Sequence, residues 1–210
     1  METESGRMAR KTDSKSSYRG TASTGAVRRV ALTLALLGAA LLLAGCTSTD
    51  STSATFNNAD EMFVIGMIPH HEQAIEMSDV ILAKGDIDED VSTLAKEIKI
   101  AQSPEIELMK GLLEDWGVPY DGSMSGMHHG NMGDGMMSDD DMAALVAATG
   151  TDASRLFLEG MILHHEGAVA MAQMVLESGK NPEVARLAQQ IIASQTAEIA
   201  AMQGMLTTLK

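Results

Sequence analysis

Cysteine occurs once in these 210 residues, at Cys46. If that residue serves as an anchor, the folded part of the chain has neither a disulfide nor thiolate chemistry. Aromatic residues are scarce, with three Phe, two Tyr and one Trp making up 3% of the chain. The core must therefore be aliphatic and methionine-rich, and the chain carries 17 Met. Positive charge is also short: 15 Lys and Arg face 29 Asp and Glu, for a formal net charge of −14. That balance argues against a nucleic-acid partner and against electrostatic adhesion to anionic lipid. No apolar–polar alternation or strand-turn signal occurs, which leaves an all-α protein. No Glu-x-x-His motif is present, so a ferritin-type di-iron centre lacks its ligands. With no carboxylate-rich open site and no activated nucleophile, the chain does not read as an enzyme, and a metal-dependent redox activity is the least favoured of the readings kept open.

Long hydrophobic runs are missing too. The longest, Val30–Ala44 (VALTLALLGAALLLA), would reach about 22 Å as a helix, short of the roughly 30 Å of a bilayer core. Basic residues precede it (Arg7, Arg10, Lys11, Lys15, Arg19, Arg28, Arg29) and small residues end it. This pattern reads as a secretory signal peptide over residues 1–45. The ending Leu43-Ala44-Gly45-Cys46 resembles a bacterial lipobox. It implies cleavage before Cys46, lipidation of its sulfur, and an exported protein held at the outer face of the cytoplasmic membrane or elsewhere in the cell envelope. Removing this basic leader leaves a remainder still more acidic than the whole chain. Residues 46–56, rich in Ser and Thr, form a flexible tether.

What the sequence does contain is a duplication. Phe63, Gly66, Met67, His70-His71-Glu72, Met77 and Gly85 are matched by Phe157, Gly160, Met161, His164-His165-Glu166, Met171 and Gly179. Further on, VSTLAKEIKIAQSPEIELMKGLL (91–113) is matched by VARLAQQIIASQTAEIAAMQGML (184–206). A repeat of this length identifies the structural unit. Each unit predicts two amphipathic helices. The first runs from about Asn58 to Lys84, capped by Asn57 or Asn58 and stopped by Gly85; the second starts after Asp88 and ends near Trp116. In the second unit, one helix spans about Asp152–Ser178 and stops at Gly179, and the next is capped by Asn181 with Pro182 at its first position. A shorter helix is expected over Asp139–Ala148, with Gly150 as a break. Pro69 and Pro104 fall inside helices and predict kinks near Ile65 and Ile100. Two helical hairpins, 57–117 and 139–210, should close into one four-helix bundle over 57–210. Residues 118–138 join them as a Gly-rich mobile loop.

At about 100° per residue, His70, His71, Met67, Ala74 and Met77 share the apolar face of the first helix. His164, His165, Met161, Ala168 and Met171 repeat that face. Four imidazoles turned into one core need partners, because an unpaired buried polar group costs about 1–3 kcal/mol. Hydrogen bonds to neighbouring helices are one answer, with Gln102 and Glu105 recurring as Gln195 and Glu198. The other is a metal held by imidazole nitrogen and thioether sulfur from two related helices, with those Gln and Glu groups and Glu72 and Glu166 in an outer ring. Thioethers favour soft ions such as Cu(I), and imidazole suits copper and zinc. The loop points the same way. Met124, Met127, His128, His129, Met132, Met136 and Met137 crowd into residues 124–137 without a cysteine. That segment resembles the Met/His-rich stretches of exported copper-handling proteins. Other methionines, including Met109, Met174, Met202 and Met205, read as core filler.

The duplicated GMIxHHE strings, each followed by a helix ending in Q-x-x-EI-x-x-M, resemble the bacterial domain-of-unknown-function 305 family over about residues 56–210. The resemblance implies a ferritin-like helical bundle on exported proteins, some tied to copper binding and copper tolerance, and no established catalytic activity. The expectation is therefore a lipid-anchored protein that sequesters or passes on Cu(I) or Cu(II), as a monomer or homo-oligomer. The rival expectation is a metal-free interaction or structural bundle whose histidines bond to Glu105 and Glu198.

Overall fold

The computed structural model describes residues 55–122 and 135–209. Its helices are α1 (Asn58–Leu82), α2 (Glu89–Trp116), α3 (Asp139–Ala147), α4 (Gly150–Ser178) and α5 (Pro182–Thr208). No strand occurs among the described residues. The expected signal peptide, Cys46, and Met124, Met127, His128, His129 and Met132 lie outside them. No described helix is long and apolar enough to cross a membrane.

The helix ends follow local chemistry. Asn57 caps α1: its side-chain oxygen accepts from the Ala59 and Asp60 amides, and Asp60 accepts in return from the Asn57 amide. One expectation needs correction here. Gly85 is not the cap of α1, which ends at Leu82 with Ala83 still right-handed. The amides of Ala83 and Lys84 bond to Asp79 and Ile81, so the last carbonyls are met without a left-handed residue. Gly150 stands at the break between α3 and α4, as the first residue of α4. Its φ of 56° makes the corner after α3, a conformation glycine adopts without a steric penalty. Gly117 takes the left-handed cap of α2, with the Val118 amide reaching back to Leu113. Lys84 donates to the carbonyls of Val146 and Ala148, placing a cation at the C-terminus of α3. Helices α1 and α2 continue through Pro69 and Pro104 without interruption.

Packing is densest within the hairpins α1/α2 and α4/α5. Between the hairpins α1 lies along α4, whereas α2 and α5 meet only narrowly. The core falls into two apolar halves. One joins Phe63, Val64, Met67 and Ile68 of α1 to Ile106–Leu113 of α2, Ala168–Val175 of α4 and Val184–Ile191 of α5. The other joins Ala74, Met77 and Ile81 to Val91–Ile98, Ala153–Met161 and Met202, with Leu145 of α3 added. On every long helix two buried or half-buried polar residues lie between the two halves. These are His70 and His71, Gln102 and Glu105, His164 and His165, and Gln195 and Glu198.

Candidate metal centre

A polar layer thus crosses the waist of the bundle, and each hairpin contributes the same set to it. On α1 and α4 the adjacent histidines are fully buried. The rings of His70 and His164 meet across the α1/α4 interface with centroids 3.7 Å apart and planes inclined by 41°. The other member of each pair turns towards its own hairpin partner. His71 Nε2 lies 2.8 Å from Glu105 Oε2, and His165 Nε2 lies 2.6 Å from Glu198 Oε2. A carboxylate at that distance draws the ring proton to Nε2, which leaves a lone pair on Nδ1. In both His71 and His165, Nδ1 is buried and meets no hydrogen-bonding group. This carboxylate–imidazole pairing is the arrangement that orients metal-ligating histidines; it also satisfies one nitrogen of a purely structural one.

His164 is the most isolated of the four. Neither ring nitrogen has a partner with hydrogen-bonding geometry. Burial, followed by the neighbouring imidazoles of His70, His165 and His71, holds its pKa well below the ordinary 6.5, against a weak opposing pull from the His70 backbone. The ring is therefore neutral near pH 7, the form in which imidazole binds a metal. Gln102 and Gln195 add to the layer. Each is 2% exposed, and neither amide end finds a partner. At about 1–3 kcal/mol for each unmet buried group, such a layer lowers stability unless something else bonds to it.

The remaining candidates fall in several places. Met67 and Met161 are fully buried, one in each apolar half on either side of the layer. Met77 is buried among Ala74 and Ile81, two turns beyond His70. Met171 lies against α1, its methyl 3.2 Å from where a Cβ on Gly66 would stand. Glu72 and Glu166 do not join the outer ring: Glu72 pairs with Lys110 at the surface and Glu166 is exposed. At their angle on the helix both carboxylates keep their hydration. Among the described residues, no three His, Cys, Asp or Glu groups converge as a ready metal cage. Imidazole alone does not complete a site here, so thioethers or Gln amides would have to.

The end of the loop is held in place, contrary to the expectation of mobility throughout. Gln73 grips the Met137 backbone at both ends, donating from Nε2 to the carbonyl (2.9 Å) and accepting at Oε1 from the amide (2.8 Å). The Met137 sulfur lies 3.0 Å from where a Cβ on Gly160 would stand. Gly135, at φ 73°, passes so close to α4 that any side chain would run into the Leu163 carbonyl. Sequence reasoning missed Gln73. Its one visible signal was a departure from the repeat, since Gly167 occupies the matching position.

Comparison with known proteins follows from this geometry. The family model described as "Domain of unknown function (DUF305)" matches residues 60–206. Among solved structures, a DUF305 fragment from Deinococcus radiodurans is 35% identical, with a TM-score of 0.66 over 73% of this chain and 98% of that one. A DUF305 protein from Streptomyces coelicolor, described as a candidate secreted protein, is 35% identical with a TM-score of 0.63, over 71% and 93% of the two chains. CopM in its Cu(II)-bound form is 34% identical with a TM-score of 0.63, over 72% and 97%. CopM is also known in Cu(I)-bound, Ag-bound and apo forms. No curated protein matches the chain significantly.

Proposed function

The chain belongs to the DUF305 family, and on that premise we propose that it is an exported copper-binding protein, tethered by a lipid on Cys46, that sequesters or hands on the ion. The observation that carries this reading is the waist layer, where the buried His164 ring is neutral and neither of its nitrogens meets a group in good hydrogen-bonding geometry. Copper is the bound cargo. His70, His71, His164 and His165 would supply imidazole nitrogen, and Met67 and Met161 thioether sulfur. Glu105 and Glu198 would orient two of the rings. The acidic surface repels no cation and suits an ion carrier outside the cytoplasm. Copper-bound CopM supports the reading at the level of the family. The Met and His residues of 124–137 would add a softer site that favours Cu(I).

One observation favours a second reading, a metal-free bundle. The His71–Glu105 and His165–Glu198 pairs already satisfy half of each imidazole pair, and no three-ligand cluster of His, Cys, Asp or Glu is assembled among the described residues. Titration separates the two. The purified protein is titrated with Cu(I) without oxygen, and with Cu(II) and Zn(II) in air, beside a His70/His71/His164/His165→Ala variant and a 124–134 deletion. Copper bound tighter than about 1 μM, and weakened in the histidine variant, supports the metal site. Binding lost only in the loop deletion makes the waist structural. No binding at all removes copper from the account.

A further inference from the structure

We propose that Gln73 is a positioning residue that docks the C-terminal stem of the Met/His loop onto α4, setting the Met137 sulfur beside His164 as a soft ligand. This deepens the copper reading above and rests on it. Its first support is the clamp itself: Gln73 meets both hydrogen-bonding groups of the Met137 backbone and fixes the direction in which that side chain leaves the stem. Its second is the seat beneath. Gly160 lies four residues before His164, about 6 Å along the axis and close to the same face of α4. A Cβ on Gly160 would stand 3.0 Å from the Met137 sulfur and methyl, so any larger residue would push that side chain outward. The third is Gly135, whose close approach to Leu163 and to the His164 backbone presses the stem against the turn that carries the histidine.

The duplication shows that this is an added device. At the seat's counterpart, Gly66 is covered by Met171, a residue of the neighbouring helix, and not by the loop. At the clamp's counterpart, Gly167 has no side chain to grip anything. Only one of the two related faces is equipped to hold the stem. The Met137 thioether and the waist imidazoles would then share one binding event in place of two separate ones. Such coupling needs no structural change in the bundle, because Gln73 is half-buried and lies off the core.

The test is a Cu(I) competition titration on the purified protein, paired with methyl-13C-methionine and imidazole NMR during addition of Ag(I) as a diamagnetic probe. The expected result is that the Met137 methyl and the His164 ring shift together within the first equivalent. Gln73→Ala should weaken that first equivalent by about tenfold or more and remove the Met137 response from it. Gln73→Glu, which keeps the acceptor and loses the donor, should fall between the two. Gly160→Ala should displace the sulfur and reproduce the loss with the clamp intact. Unchanged affinity and an unchanged joint shift in Gln73→Ala would overturn the proposal. So would loss of helical circular dichroism in both Gln73→Ala and Gly160→Ala, which would make the stem a structural support. A wild-type protein that binds Cu(I) tightly while the Met137 methyl stays silent overturns the role of Gln73 and leaves the copper reading standing. Binding weaker than about 1 μM overturns both.

Discussion

The two hairpins carry the same waist and different edges. Each sends an adjacent histidine pair, a buried glutamine and a half-buried glutamate to the layer between the apolar halves, in matching registers. Around that layer the copies part. Pro69 and Pro104 stand where the second copy has Leu163 and Ala197. Asp60 of α1 accepts from the amides of Asn57, Lys180 and Asn181, tying α1 to the α4–α5 corner. Its counterpart Ser154 receives only the Asp88 amide, at 3.4 Å, at the opposite corner. What the copies share marks the chemistry, and what they do not share marks how the chain was fitted around it.

The largest effect should come from breaking the stronger corner. Asp60→Ala would leave three amide donors without their carboxylate, that of Asn181 buried and those of Asn57 and Lys180 part-buried, and is expected to lower stability by about 2–4 kcal/mol in chemical denaturation. Ser154→Ala should cost no more than about 1 kcal/mol. Equal losses would show that the corners are equivalent despite their different chemistry. Next are the waist glutamines. Gln102→Leu and Gln195→Leu each replace an unmet buried amide with an apolar group of similar size. Each should stabilise the copper-free protein by up to about 2 kcal/mol while weakening copper binding. If either destabilises it, the amide has a structural partner.

A smaller effect concerns pH and singles out the α4 copy. Since His164 is neutral in the fold and takes a proton more readily in the unfolded chain, its contribution is flat above pH 6.5 and stability falls as pH drops below that value. The fall continues until the depressed folded-state value is reached. In melting curves of the copper-free protein between about pH 7.5 and 5.5, wild type should lose more than His164→Leu does. Parallel slopes would assign the acid sensitivity elsewhere. The smallest difference expected is between Glu105→Gln and Glu198→Gln. Each keeps an acceptor for its histidine and loses the charge, for about 1 kcal/mol apiece and a gap within about 0.5 kcal/mol. A larger gap would show that the waist is asymmetric after all.

Much of this was legible in the sequence because it follows from period and repetition. Recurrence of GMIxHHE gave the hairpins, and helical spacing placed His70, His71, His164 and His165 on buried faces. Glu105 and Glu198 were visible as partners because they recur one turn from Gln102 and Gln195. What escaped were contacts between elements distant in sequence. Nothing local distinguishes Gln73 from a solvated side chain, since its partner Met137 belongs to a Gly-rich segment. Gly135 and Gly160 make close approaches that no local pattern marks. Gly85 has the position of a helix cap in the sequence, whereas the backbone closes its own last turn before it.

The central claim is that the waist histidines of both hairpins bind copper together. Copper K-edge X-ray absorption on the Cu(I)-loaded protein tests it most directly. The account predicts imidazole nitrogen together with thioether sulfur around copper, with the imidazole scattering lost in the His70/His71/His164/His165→Ala variant. A copper environment of sulfur alone, or one unchanged in that variant, would contradict it.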